Sequence, residues 1–162
     1  LRAAMHCGDP VAYIEHKTLW GLRGEVDAGQ TAKLGEGRRV RSGNALTIVS
    51  WSRQVHVCEE ACKALAAEGI EADLIDLRTI WPWDREMVLE SCARTGRLLV
   101  VHEAVQTAGF GAEIAARAAE ATGCKVARLG APRIPVGYAP VLEAQARIDV
   151  GKVAGAARRL ID

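Results

Sequence analysis

The sequence has no long hydrophobic run and almost no net charge, and each absence excludes a class of protein. No apolar stretch approaches the roughly 18 residues that a membrane-spanning helix needs, and the amino terminus lacks the basic and then apolar pattern of a signal peptide. With 21 Lys and Arg against 20 Asp and Glu, the net charge of +1 would not draw the chain to nucleic acid or to a membrane. We therefore expect neither partner, and a location in the cytoplasm or, in a eukaryote, the mitochondrial matrix.

The sequence also has no CxxC pair among its five cysteines. An odd number of scattered cysteines predicts free thiols. Cys58 and Cys62 lie four residues apart on a predicted helix, but no histidine or carboxylate cluster completes a zinc set. We therefore expect no metal site, and interpret these cysteines as small buried hydrophobic side chains.

The 162 residues suffice for one α/β domain with its own core but not for two. An apolar run at 11–14 follows the turn signal Gly8-Asp9-Pro10 and predicts a short strand. Residues 21–43 contain six glycines among many charges and predict an irregular linker. From residue 45 onward, short aliphatic runs alternate with amphipathic stretches, which predicts strands at 46–50, 72–77, 98–102 and 125–129 and helices at 55–68, 85–94, 111–121 and 150–160.

This alternation predicts an α/β fold with a doubly wound, mostly parallel sheet and helices on both faces. Parallel strands need crossover connections, and right-handed crossovers cover both faces of the sheet. Asp84 is the predicted N-cap of one helix, and Gly69 and Gly96 are predicted helix ends. Ligands and partners of such sheets tend to bind at the loops beyond the carboxyl ends of the strands.

One of these loops, Gly109-Phe110-Gly111-Ala112-Glu113-Ile114, resembles a dinucleotide fingerprint. Ile114 replaces the third glycine, and Glu113 would repel a pyrophosphate at the helix amino terminus. We therefore interpret the glycines as residues of a tight strand-to-helix turn.

Two further groups of residues are candidates for function. His102 and Glu103 end a predicted strand and have the chemistry for acid–base work, but neighbouring strand residues point to opposite faces, so we favour a hydrogen-bonded interface pair. Trp81-Pro82-Trp83-Asp84 places two indoles on a loop. They either fill a core gap under the loop or anchor a protein interface.

An ordered set of motifs resembles one family over nearly the whole chain: the C-terminal, transketolase-like domain of the beta subunit of thiamine-diphosphate-dependent 2-oxo acid dehydrogenases, of the pyruvate and branched-chain type. The resemblance implies that residues 1–20 are the tail of a pyrimidine-binding domain, 21–43 a linker and 44–162 the C-terminal domain. Ala45 and Arg133 stand where the family usually has acidic residues, and Gly137 where it has a second proline. The motifs are Asp76-Leu77-Arg78-Thr79-Ile80, Pro82-Trp83-Asp84, Thr95-Gly96-Arg97, Val100-Val101-His102-Glu103, Gly109 to Ile114, Pro135-Val136-Gly137-Tyr138-Ala139-Pro140 and Leu142-Glu143.

The resemblance implies a parent enzyme that decarboxylates a 2-oxo acid oxidatively and transfers the acyl group to lipoamide, using thiamine diphosphate and magnesium. The glutamate that activates the cofactor belongs to the preceding domain and has no counterpart here. We therefore expect no catalytic, cofactor-binding or metal-binding residue in this chain, and no activity from the chain alone.

The implied role is assembly with the dehydrogenase alpha subunit and a second beta subunit, and docking to the acyltransferase core. The candidate interface residues are Trp81, Trp83, His102, Glu103 and Phe110. Two alternatives stay open: the C-terminal domain of another thiamine enzyme, of the transketolase or deoxyxylulose phosphate synthase type, and a free-standing module that binds a small effector. The motifs at His102-Glu103 and Gly109 to Ile114 favour the dehydrogenase.

Overall fold

The computed structural model describes residues 1–25, 27 and 29–162. The strands are β1 (Arg38–Arg41), β2 (Leu46–Ser50), β3 (Ala72–Asp76), β4 (Arg97–Val105) and β5 (Lys125–Ala131). The helices are α1 (Arg2–His6), α2 (Arg53–Ala66), α3 (Arg85–Thr95), α4 (Gly111–Thr122), α5 (Pro140–Ala146) and α6 (Val150–Ile161), with a short 3-10 helix at Lys17–Leu19. None of the helices in these described ranges is long and apolar enough to cross a bilayer.

The five strands form one sheet in the order β1-β3-β2-β4-β5. Only β1 is antiparallel to its neighbour; the other three pairings are parallel, with Ile48 of β2 in register with Leu74 of β3 and Leu99 of β4. The chain moves from β2 outward to β3 and then returns past β2 to β4. The winding direction therefore reverses between β2 and β4, as in other doubly wound sheets.

Helices cover both faces of the sheet, as the alternating sequence pattern predicts. Ile48 belongs to the apolar layer beneath α2 and α6, whereas its neighbour Val49 belongs to the layer beneath α3 and α4. Successive strand residues point to opposite faces, so a run of five fully buried residues on β2 supplies both layers at once. The predicted fold class is confirmed.

Local signals in the sequence account for several helix ends. The Asp84 carboxylate accepts a hydrogen bond from the Met87 backbone amide at 3.0 Å and caps α3. Gly96 ends that helix with a φ of 68°, where a side chain would be strained. Helix α2 ends at Ala66 rather than at residue 68, and Gly69, with a φ of 80°, lies in the turn that follows.

Two predictions for the first 43 residues were wrong in detail. Residues 11–14 form no strand, and Ile14 is 88% exposed, so this apolar run buries little surface that would hold it against the sheet. The predicted linker contains the strand β1. Its sequence is mostly charged and lacks a strand pattern, but its backbone hydrogen bonds to β3 stabilise it. Val26 and Ala28 of that linker lie outside the described residues.

A buried carboxylate links four elements beneath the sheet edge. Asp73 of β3 is completely buried; one of its oxygens lies 3.1 Å from Arg39 Nε, and the other accepts hydrogen bonds from Ser91 Oγ and Arg94, each at 2.5 Å. Thr47 Oγ1 lies 2.7 Å from Ser91 Oγ. The network therefore joins β1, β2, β3 and α3 through one side chain.

Candidate functional site

The candidate site lies where the winding of the sheet reverses, at the carboxyl ends of β2 and β4. The residue after β2 is Trp51, and β4 continues through His102 and Glu103. Phe110 precedes the first residue of α4. Trp51, which the sequence analysis did not select, is the residue that brings these groups together.

His102 is completely buried and stacks on Trp51. The ring centroids lie 5.3 Å apart with an interplanar angle of 21°, and Phe110 meets Trp51 edge-on at 6.3 Å. The Nδ1 atom of His102 lies 3.0 Å from the Ala104 carbonyl oxygen. Because that oxygen only accepts, Nδ1 carries the proton in this arrangement. Within the described part of the chain, Nε2 has no hydrogen-bond partner.

Three glycines surround the His102 ring. A Cβ added at Gly109 or Gly111 would lie 2.6 Å from a ring atom, and one added at Gly130 would lie 2.8 Å away. Neither Gly109 nor Gly111 has a positive φ; in this loop that conformation falls on Ala108, at 60°. The two loop glycines are therefore required by the close approach of the histidine ring rather than by turn geometry.

Burial sets the protonation state of His102. Desolvation lowers the pKa of the imidazole below its ordinary value of 6.5, the bond to Ala104 opposes this shift, and the Arg128 charge adds to it. The ring is thus held neutral, which suits its stacking on Trp51.

We expect stability to depend on pH through this ring. With a lowered pKa in the folded state, the unfolded chain binds the extra proton first, so the contribution of His102 is complete above pH 6.5 and decreases as the pH falls from there towards the folded-state value. An NMR titration of the His102 ring, assigned by comparison with His102→Gln, should show a midpoint below 6.5. A midpoint at or above that pH would contradict this account.

Glu103 points away from His102, as the strand geometry predicts. One carboxylate oxygen accepts from Arg53 at 3.0 Å and the other from His16 Nε2 at 2.9 Å. Because His16 Nδ1 accepts from the Thr18 backbone amide, Nε2 carries the hydrogen that faces Glu103. Both oxygens are engaged, so Glu103 fastens the amino-terminal segment to the sheet and is not arranged as a free acid or base.

The two indoles of the Trp81-Pro82-Trp83 loop have different environments. Trp83 is 6% exposed and packs in the layer beneath α3 and α4, with the Arg85 guanidinium 5.8 Å above its ring. Trp81 is 73% exposed. The core interpretation therefore applies to Trp83, and only Trp81 is available as an interface anchor.

The residues at the reversal point do not fit thiamine diphosphate. Trp51 is occupied by its contacts with His102 and Phe110, and both oxygens of Glu103 are already engaged. Cys58 and Cys62 are equally unsuited to chemistry, because desolvation raises the pKa of Cys58 to about 12 and that of Cys62 to about 11.

The sequence profile of the family described as "Transketolase, C-terminal domain" matches residues 35–153. The chain belongs to this family. Similar curated proteins are beta subunits: that of acetoin:2,6-dichlorophenolindophenol oxidoreductase from Cupriavidus necator is 40% identical and is matched over 96% of this chain and 48% of its own length. The 2-oxoisovalerate dehydrogenase beta subunit of Bacillus subtilis is 33% identical over 100% of this chain and 52% of its own. These relatives confirm the predicted resemblance.

The structural comparison agrees. A split-gene transketolase, described as an inactive beta4 tetramer, superimposes with a TM-score of 0.76 at 25% identity, covering 87% of this transketolase C-terminal domain chain and 46% of the other. Transketolase from Pichia stipitis, at 19% identity and a TM-score of 0.51 over 78% of this chain and 18% of the other, supports the fold alone. The chain spans about half the length of the curated relatives it matches.

The role of the five candidate interface residues stays a prediction. The five differ in how exposed their side chains are. Trp83 and His102 are covered by the chain's own atoms, whereas Trp81 and Glu103 are exposed and Phe110 is half-buried. The sequence analysis missed a larger apolar surface, which we call the 134–142 surface: five exposed side chains, those of Ile134, Val136, Tyr138, Val141 and Leu142. Gly137 lies within this segment and packs closely against Leu142, since a Cβ added to the glycine would lie 2.4 Å from Leu142 Cβ.

Proposed function

We propose that this transketolase C-terminal domain is the assembly portion of a 2-oxo acid dehydrogenase-type beta subunit. The parent enzyme would decarboxylate a 2-oxo acid and pass the acyl group to lipoamide, with thiamine diphosphate and magnesium bound elsewhere. The proposal is supported by the beta-subunit relatives and by the exposed apolar side chains of the 134–142 surface.

The observation that carries the proposal is the 134–142 surface. Monomeric proteins rarely expose a contiguous apolar patch without a function, and a specific interface buries roughly 1,000 Å² or more. Tyr138 is fully exposed and Val141 is 73% exposed, so neither contributes to the core. We assign this surface to contact with a second beta subunit, and Trp81 to contact with the alpha subunit or the acyltransferase core.

The second-subunit contact is tested by self-association. Tyr138→Glu and Val141→Glu should each weaken association at least about tenfold in sedimentation velocity, since a buried unpaired charge costs more than 1.4 kcal/mol. Both side chains are exposed, so the folded chain should keep its circular dichroism spectrum. Ala121→Glu adds the same charge on an exposed part of α4 and should change nothing. Equal association of all four proteins would refute the assignment.

The absence of a complete active site is tested by activity. The chain is mixed with a dehydrogenase alpha subunit, thiamine diphosphate and magnesium, and decarboxylation of pyruvate and branched 2-oxo acids is measured beside a full-length beta subunit. We expect the full-length control to catalyse decarboxylation and this chain to show no activity. Turnover from the chain would show that its own residues activate the cofactor.

We also propose a cytoplasmic or mitochondrial-matrix location for the parent enzyme. A pyruvate dehydrogenase beta subunit described as mitochondrial, from Dictyostelium discoideum, is 34% identical over 99% of this chain and 48% of its own length.

A further inference from the structure

A concave site separate from the reversal point lies beyond the carboxyl ends of β4 and β5. The loop after β4, the end of β5 and the connection between α5 and α6 enclose a cleft of about 380 Å³. Small-molecule sites range from about 300 to 1,000 Å³, and loops at the carboxyl ends of parallel strands are where such sheets bind ligands. The proposed assembly function makes no use of this cleft.

The cleft has an apolar floor and a polar rim. Leu129, Ala131 and Ile148 supply aliphatic surface, and Thr107, Arg133 and Gln145 line the opening. None of these three polar side chains forms a hydrogen bond or ion pair within the described ranges of the chain. An aliphatic floor next to unused polar groups suits a small amphipathic molecule.

The cleft is positively charged, because Arg133 and Lys152 both line it and none of the described residues that line it is acidic. The Lys152 ammonium donates to the main-chain carbonyl oxygens of Ala144, Gln145 and Arg147 at the end of α5, so it is already engaged. The Arg133 guanidinium is exposed and available, and a planar guanidinium binds a carboxylate through two parallel hydrogen bonds.

We propose that this cleft binds a small monocarboxylate with a short alkyl chain. The carboxylate pairs with Arg133, Thr107 and Gln145 add hydrogen bonds at the rim, and the alkyl group covers the floor. Since the family resemblance leads one to expect an acidic residue at position 133, anion binding would be a property of this chain rather than of the family pattern.

The test is an NMR titration of the whole chain with 3-methylbutanoate. Its neutral analogue, 3-methylbutanamide, has the same shape without the charge. We expect amide shifts centred on Thr107, Ala131, Arg133 and Gln145, with the carboxylate binding at least about tenfold more tightly than the amide because its hydrogen bonds to Arg133 are charge-assisted. Shifts that do not change with protein concentration separate this site from self-association through the 134–142 surface.

Three variants decide between a built site and general attraction to a cation. Arg133→Gln should weaken carboxylate binding at least about tenfold, and Gln145→Glu, which changes little but charge, should do the same by repulsion. Arg159→Gln removes an exposed arginine near the other end of α6 and should bind like the unchanged chain. Binding that survives Arg133→Gln, equal binding of the amide, or shifts elsewhere on the surface would each overturn the proposal.

Discussion

Replacing Asp73 with alanine should lower the free energy of unfolding by about 3 kcal/mol, at the lower end of the range for removing one partner of a buried ion pair. The carboxylate is completely buried and serves Arg39, Ser91 and Arg94 together. The two arginines are partly exposed and can turn to water, which limits the loss. Ser91 remains buried with one partner fewer, which adds to it. Urea denaturation followed by circular dichroism measures the effect.

A matched control lies at the same pair of strands. Glu71 pairs with Arg41 at 2.6 Å, but both side chains are partly exposed, and ion pairs in water contribute little. Glu71→Ala should therefore shift the urea midpoint far less than Asp73→Ala. Similar shifts from the two variants would mean that the buried network adds no more than a surface pair.

Gly111→Ala should destabilise the chain by about 1–3 kcal/mol, the usual cost of forcing a methyl group into a packed site. The new Cβ would lie 2.6 Å from His102 Nε2 and 3.0 Å from Val100 Cγ1. A loss of stability would be informative, because replacing glycine with alanine in a helix otherwise stabilises it. Gly155→Ala, in α6, meets only the flexible end of Arg159 at 3.5 Å and should be neutral or stabilising.

The double variant identifies the ring as the cause. If Gly111→Ala acts through His102, then combining it with His102→Ala should cost less than the sum of the two single changes, with a coupling of about 1 kcal/mol or more. Thermal unfolding of the four proteins gives the cycle. Additive effects would show that the glycine is required for another reason.

The fold could be predicted from the sequence because its signals are local and periodic. The buried run of β2, the capping carboxylate of Asp84 and the glycine at 96 each act within a few residues of the feature they specify. The exceptions depend on distant partners. Strand β1 forms because β3 supplies backbone groups for it to pair with. The charged sequence of β1 contains no pattern that predicts this pairing.

The candidate site was predictable only in part for the same reason. Strand geometry predicted that His102 and Glu103 point to opposite faces, but the sequence could not reveal that Trp51, just after β2, covers the imidazole. The three glycines around the ring come from two different segments, so only the folded structure brings them together. The 134–142 surface could not be predicted, because a short apolar segment does not reveal whether its side chains are buried or exposed.

The position of β3 constrains the order in which the chain can assemble. Strands β1 and β2 are joined by only four residues, at 42–45, yet β3 is inserted between them in the sheet. During synthesis the backbone groups of β1 therefore emerge well before the strand that pairs with them, and they remain unmatched until residue 76 has left the ribosome. This edge of the sheet can therefore close only after β3 has been made, although β1 comes before both β2 and β3 in the chain.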